Sequence, residues 1–262
     1  MTQAIQKKLN DSAFARWTAL ILVALTMFFG YMFVDVLSPL QNMLESTRGW
    51  SPTIFGLYGG SEFILNVCGF LLVAGIILDK MGVRFTGILS ASLMVLGAGI
   101  KFYGLSNYFY EGGFGYEFLN SFLTDIPASA KLACLGFMVF GCGTEMAGVT
   151  VSRAIVKWFT GKELALAMGL EMAIARLGVF AVFSLSPWVA NWGGDPSVAR
   201  PVAVVGLLLC IGLLTYIAFS VMDFKLDRQT EADTPIGETE EPFKVADLKN
   251  LFSSKTFLIV SA

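Results

Sequence analysis

The chain contains no histidine, and only 15% of its 262 residues are charged. Without imidazole there is no histidine general acid or base, no HExxH zinc site and no histidine-ligated haem. Cysteine is scarce: Cys68, Cys134, Cys142 and Cys210 lie in apolar stretches without CxxC spacing. Neither a disulfide framework nor a zinc site is therefore expected, and the four read as small buried hydrophobes. A net charge of −2 leaves no basic face for nucleic acid. The chain also lacks a GxSxG elbow and a Walker-type phosphate loop. These absences exclude the common catalytic classes, and the expectation is a protein that is not an enzyme, with no catalytic residues, no metal and no cofactor.

Soluble domains carry about 25% charged residues, whereas this chain is 55% hydrophobic and gathers its charges into short stretches. Crossing a hydrocarbon core takes about 20 apolar residues, and six runs reach that length: about 17–36, 54–78, 85–103, 132–151, 164–188 and 201–222. In lipid each run must satisfy its own backbone, so all six are expected to be helices. The run after the polar stretch 1–16 is too long for a signal-peptide core.

Lysine and arginine mark the cytoplasmic side of short loops. Lys7, Lys8, Arg16, Lys80, Arg84, Arg153, Lys157, Lys162, Lys225, Arg228, Lys244, Lys249 and Lys255 fall on one side, against Arg48, Lys101, Lys131 and Arg200 at most on the other. The N-terminus is then cytoplasmic, and the aromatic connection 104–130, with Glu111, Glu117 and Asp125, lies outside. Residues 223–255 carry charges of both signs with Pro235 and Pro242 and read as a cytoplasmic linker. Within it, 246–252 fits a short amphipathic helix. Residues 256–262 read as the start of a seventh helix at which the chain is cut.

An ionisable group inside a span costs a few kcal/mol and needs a partner, a cavity or a function. Asp35, Glu62, Glu145, Glu171 and Arg176 meet that description. Asp35 is near the outer end of the first run, and Glu62 shares its run with Gly56, Gly60 and Asn66. Glu145 stacks with Gly141, Gly148 and Ser152 on one small, polar stripe, a pattern that tight helix packing also produces. Arg176 sits midway along the fifth run and requires an anion. Glu171 is five residues away, about 140° around the helix, so the two do not pair within it. The expected inter-helix pair is Glu145 with Arg176, either as a structural salt bridge or as a clamp for the ammonium and carboxylate of a zwitterion. Glu62, Glu145 and Glu171 are the candidates for proton coupling, since a carboxyl in lipid can hold a proton.

The stretch from Gly75 through Asp79, Lys80 and Gly82 to Arg84 resembles the GxxxD(R/K)xGx(R/K) loop of the major facilitator superfamily. Glycines permit a tight turn there, while Asp79 and Arg84 can hold charge pairs that change between conformations. Val83 departs from the usual basic residue, and Phe137 stands where helix four often has arginine. Phe140 to Glu145, Val156 to Glu163, Ala167 to Leu170 and Ala175 to Gly178 resemble the branch of lysosomal dipeptide transporter type and its bacterial relatives, as do Tyr31, Asp35 and Pro39-Leu40-Gln41. The resemblance implies a fold of twelve helices in two six-helix halves, each a pair of inverted three-helix repeats, with solute bound near the midplane. This chain would be the N-terminal half. In that branch a helix-four glutamate and a helix-five arginine grip a dipeptide, which corresponds to Glu145 and Arg176, with Asp35 and Glu62 as further substrate contacts.

The function expected is alternating-access transport of a small zwitterionic or anionic solute, dipeptides first, with lipid and a C-terminal half or second copy as partners. The alternative is a non-transporting six-helix protein that serves as an assembly or binding partner. With Asn10-Asp-Ser12 as the sole N-glycan acceptor, on the cytoplasmic side, the expected location is a bacterial inner membrane.

Overall fold

The computed structural model describes residues 8–231, and among them there is helix and no strand. Ser12 starts α1 (Ala13–Val34) by accepting a hydrogen bond from the Ala15 N–H. A short helix α2 (Gln41–Arg48) ends on Gly49 in the left-handed region. Ser51 then caps α3 (Pro52–Leu65), with Pro52 in its first turn. There follow α4 (Leu71–Leu105), two short helices α5 (Asn107–Tyr110) and α6 (Tyr116–Asn120), then α7 (Ala128–Phe159), α8 (Leu164–Ala190) and α9 (Ala199–Glu231).

Five stretches are long and apolar enough to cross a membrane: Ala13–Arg48, Pro52–Leu105, Ala128–Phe159, Leu164–Ala190 and Ala199–Thr230. The sequence separates 54–78 from 85–103 at the charged segment between them, where helical turns continue up to a break at Gly82. A wide helical turn, Asn66–Phe70, joins α3 to α4, and the backbone leaves helical geometry only at Gly69 (φ 107°) and Gly82 (φ 74°, ψ 174°). Gly82 reverses the chain at a single residue, in a conformation that a side chain disfavours.

Contacts define two ends of the bundle. At one end Arg48 donates to the Leu105 carbonyl at 3.0 Å, and the Trp50 indole donates to the Ser129 hydroxyl at 3.0 Å. At the other, Asp79 pairs with Arg153 of α7, and Arg84 with Asp227 of α9 at 3.3 Å. Thus Pro52–Leu105 has both of its termini at the first end and its middle at the second. The second end is the basic one. There Lys157 reaches Asp223 at 2.8 Å and Asp227 at 2.6 Å, and Asp223, fully buried, also accepts from the Trp158 indole at 3.0 Å. Helix α9 carries these carboxylates past Met222, so 223–231 is helix rather than linker. The expected helix at 246–252 and the start of a helix at 256–262 lie outside the described residues.

Side by side, α4 and α3 pack on α7, α1 packs on α8 and α9, and α9 also covers α4. Hydroxyls tie helices where dispersion alone holds them in lipid: Thr26 donates to the Gly212 carbonyl at 2.9 Å, Ser186 to Val36 at 2.7 Å, and Tyr216 to Val83 at 2.9 Å.

At the start of the first span, Arg16 pairs with Glu163 at 3.0 Å and, just before it, Asp11 pairs with Lys162 at 2.9 Å, fastening the start of α1 to the α7–α8 connection. The Lys162 ammonium, helped by the Lys8 N–H, holds the Asp11 carboxyl below its ordinary range. Glu163 is lowered by its own backbone N–H and then by Arg16. Both carboxylates thus favour the folded contacts above their ordinary pKa values, and the preference disappears as pH falls through the lowered ones. Amide protection factors at 9–16, which remove the intrinsic pH dependence of exchange, should therefore change little between pH 7 and pH 5 and should fall below about pH 4. Equal protection factors at pH 7 and pH 3 would show that these pairs hold nothing.

Candidate functional site

A cavity of about 330 Å³ opens between α1, α7, α8 and the start of α4. Its lining is Met27 and Tyr31 of α1, Leu71 of α4, Glu145, Gly148, Val149 and Ser152 of α7, and Glu171, Met172, Ala175 and Arg176 of α8. A larger cleft of about 750 Å³, beside α4, α6 and α7, has no charged side chain in its lining and offers a solute little to orient it.

The stripe on α7 that the sequence marks is divided by the structure. Gly141 is buried against α3, where an added Cβ would stand 2.2 Å from the Glu62 carbonyl oxygen. Glu145, Gly148 and Ser152, farther along the same face, border the cavity. Gly141→Ala should destabilise the bundle by about 1–3 kcal/mol, because a backbone oxygen cannot turn aside as a side chain does. Thermal unfolding in detergent, with Gly148→Ala as the control in open space, checks this. Equal melting of the two variants would contradict the close approach.

Arg176 places its guanidinium carbon 5.1 Å from the Tyr31 ring centroid, a cation–π distance. Among the described residues no ion pair within 4.0 Å joins it to Glu145, so the expected direct pair is not formed. The two opposite charges instead border one cavity and leave space between them. Glu171 is buried on the same wall, and it too makes no ion pair with Arg176, in keeping with their angular separation on α8.

Asp35 and Glu62 lie outside this lining. Asp35 is the C-terminal cap of α1 and accepts from the Ser38 hydroxyl at 2.9 Å, a local turn that explains its place without a solute. Glu62 is 4% exposed, on α3 against α7. In the loop motif, Gly75 lies within α4, Lys80 is exposed, Gly82 makes the turn, and Asp79 and Arg84 hold the ion pairs described above. Arg153, four turns beyond Phe137 on α7, supplies the cation that the sequence does not locate.

Lys101 departs furthest from the sequence reading, which counts it among exposed outer charges. It is fully buried in α4, and its ammonium lies 4.4 Å from the Phe33 centroid, 4.4 Å from Phe137 and 4.9 Å from Tyr58. Its position near the end of an apolar run mimics a lysine that reaches for the interface, and rings from three helices leave no spacing signal.

Residues 20–262 match the Major Facilitator Superfamily, and the chain belongs to that family. It is an integral, multi-pass membrane protein. Its curated relatives include proteins named lysosomal dipeptide transporter MFSD1. The Bos taurus protein is 31% identical over 132 residues, covering 48% of this chain and 28% of that protein. The Pongo abelii protein is 25% identical over 256 residues, 93% of this chain and 49% of the relative. The Homo sapiens protein is 29% identical over 131 residues, 47% and 28% respectively. The chain thus spans about half the length of these relatives, or less. No solved structure matches it.

Proposed function

We propose that the chain forms the N-terminal half of a major facilitator carrier that moves a small zwitterionic or anionic solute by alternating access, with dipeptides the leading candidates. The observation that carries this reading is one cavity bordered by Glu145 and Arg176, opposite charges that make no ion pair with each other. A zwitterion completes such a site: its ammonium meets the carboxylate and its carboxylate meets the planar guanidinium fork. The printed names of the relatives, dipeptide transporters, favour the same solute class.

We take Pro52–Leu105 as two crossings of six, supported by its leaving from one end of the bundle, turning at Gly82 beside the basic end and returning. In this reading they form two inverted three-helix repeats, with the basic end and the N-terminus cytoplasmic. A second six-helix half, from the same carrier or a second copy, faces the exposed apolar side chains of α3 and α8, among them Phe63, Leu177 and Phe180. The membrane proposed is a bacterial inner membrane, whereas the named relatives are lysosomal.

The test is uptake of labelled alanyl-alanine by liposomes carrying the protein as extracted from its native membrane. Uptake above protein-free liposomes supports the carrier, and none, with a folded protein, sinks the dipeptide assignment. The intact mass of that protein bears on the partner: a value well above 28.4 kDa places both halves in one chain.

A further inference from the structure

The solute cavity is lined by two carboxylates, Glu145 and Glu171, and by one cation, Arg176. A dipeptide has one terminal ammonium and one terminal carboxylate, which occupy Glu145 and Arg176 and leave Glu171 over. Glu171 is 8% exposed, and its side chain makes no ion pair or hydrogen bond among the described residues. A carboxylate held that deeply requires a cation. Helix α7 ends and α8 starts at the basic end of the bundle. At 1.5 Å per residue, Glu145 and Arg176 lie about 20 Å in from those helix ends, and Glu171 and Ser152 about 10 Å in. The lining therefore has two levels. Between them an added Cβ at Gly148 would meet nothing within 4 Å, and Val149, Met172 and Ala175 line an apolar passage. At the second level the Ser152 hydroxyl donates to the Gly148 carbonyl at 2.9 Å, so its oxygen is left to accept. Glu171 and Ser152 together offer acceptors and no free donor.

We propose that Glu171 and Ser152 form a side-chain subsite that selects dipeptides with a lysine or arginine side chain over those with neutral or acidic ones. The inference rests on the carrier reading given above. With the backbone ends of the dipeptide held between Glu145 and Arg176, a long flexible stem lies along Val149 and Met172 and carries its cationic head to the two acceptors. Charge then balances as well: the lining has one more negative group than positive, and such a dipeptide has the reverse. A neutral side chain leaves Glu171 buried without a cation. An acidic one meets Glu171 with like charge, so the same residue that attracts one class repels the other.

The protein extracted from its native membrane is titrated in detergent with dipeptides while calorimetry follows binding. Alanyl-lysine is compared with alanyl-norleucine, which keeps the four-carbon stem without the charge, and lysyl-alanine with norleucyl-alanine for the opposite order. In at least one order the lysine dipeptide should bind at least about tenfold more tightly, and alanyl-glutamate should bind most weakly of all. In Glu171→Gln the lysine and norleucine dipeptides should bind nearly equally, whatever the variant does to both. Glu171→Met gives the same comparison if Glu171→Gln does not fold. Equal binding of lysine and norleucine dipeptides in both orders, or a preference that survives loss of Glu171, overturns the subsite and leaves the paired-charge reading intact. Failure of every dipeptide to bind a folded protein overturns both.

Discussion

Arg176→Ala should lower uptake of a carboxylate-bearing solute by about tenfold to a hundredfold. A hydrogen bond to a charged group contributes about 1.5–3 kcal/mol, and each 1.4 kcal/mol is a factor of ten. The variant should fold normally, because Arg176 borders a cavity, is exposed and makes no ion pair with a neighbouring helix among the described residues. Arg176→Lys should recover only part of the loss, since a compact ammonium keeps the charge but not the bidentate fork. Initial uptake rates at matched protein content give the comparison. Unchanged uptake in Arg176→Ala would remove the arginine from the solute site. Equal recovery by lysine would reduce its role to charge alone.

Lys157→Met should destabilise the fold by about 3–5 kcal/mol, the cost of leaving a buried carboxylate without its cation. Asp223 is fully buried, and Lys157 at 2.8 Å is its cationic partner, with the Trp158 indole as a neutral donor. Removing both charges, in Lys157→Met/Asp223→Asn, should recover most of that stability. Arg84→Ala, by contrast, should cost about 1 kcal/mol or less, because Arg84 and Asp227 are both partly exposed to solvent at 3.3 Å, and Lys157 remains beside Asp227. Thermal unfolding in detergent separates the two cases. Similar small shifts for Lys157→Met and Arg84→Ala would show that Asp223 finds water or another donor.

Much of this arrangement is legible in the amino-acid order, and the exceptions have physical causes. Apolar length locates the membrane-crossing helices because lipid leaves backbone groups no other partner. The same reasoning singles out Glu145 and Arg176 before any geometry is known, since a charge in a span needs a reason. What periodicity cannot supply is which neighbour a helix face meets. Gly141 and Glu145 share a face, yet α3 covers one and a cavity opens at the other. For the same reason Glu62 reads as a solute contact and lies instead beside α7, and Asp35 reads as a cavity group and caps a turn. The charged segment 79–84 reads as a loop, and the break narrows to Gly82 because one glycine makes the whole reversal. Lys101 is the extreme case: its cage draws on α1, α3 and α7, and no single segment contains the pattern.

The most direct test of a paired-charge solute site is competition for labelled alanyl-alanine uptake in liposomes. Unlabelled alanyl-alanine should inhibit strongly. Its N-acetylated form, deprived of the ammonium that meets Glu145, and its C-terminal amide, deprived of the carboxylate that meets Arg176, should each inhibit at least about tenfold less well. A doubly blocked dipeptide should not inhibit at all. Inhibition by the doubly blocked compound equal to that of the free dipeptide would contradict the assignment, because neither Glu145 nor Arg176 would then have a charge to bind.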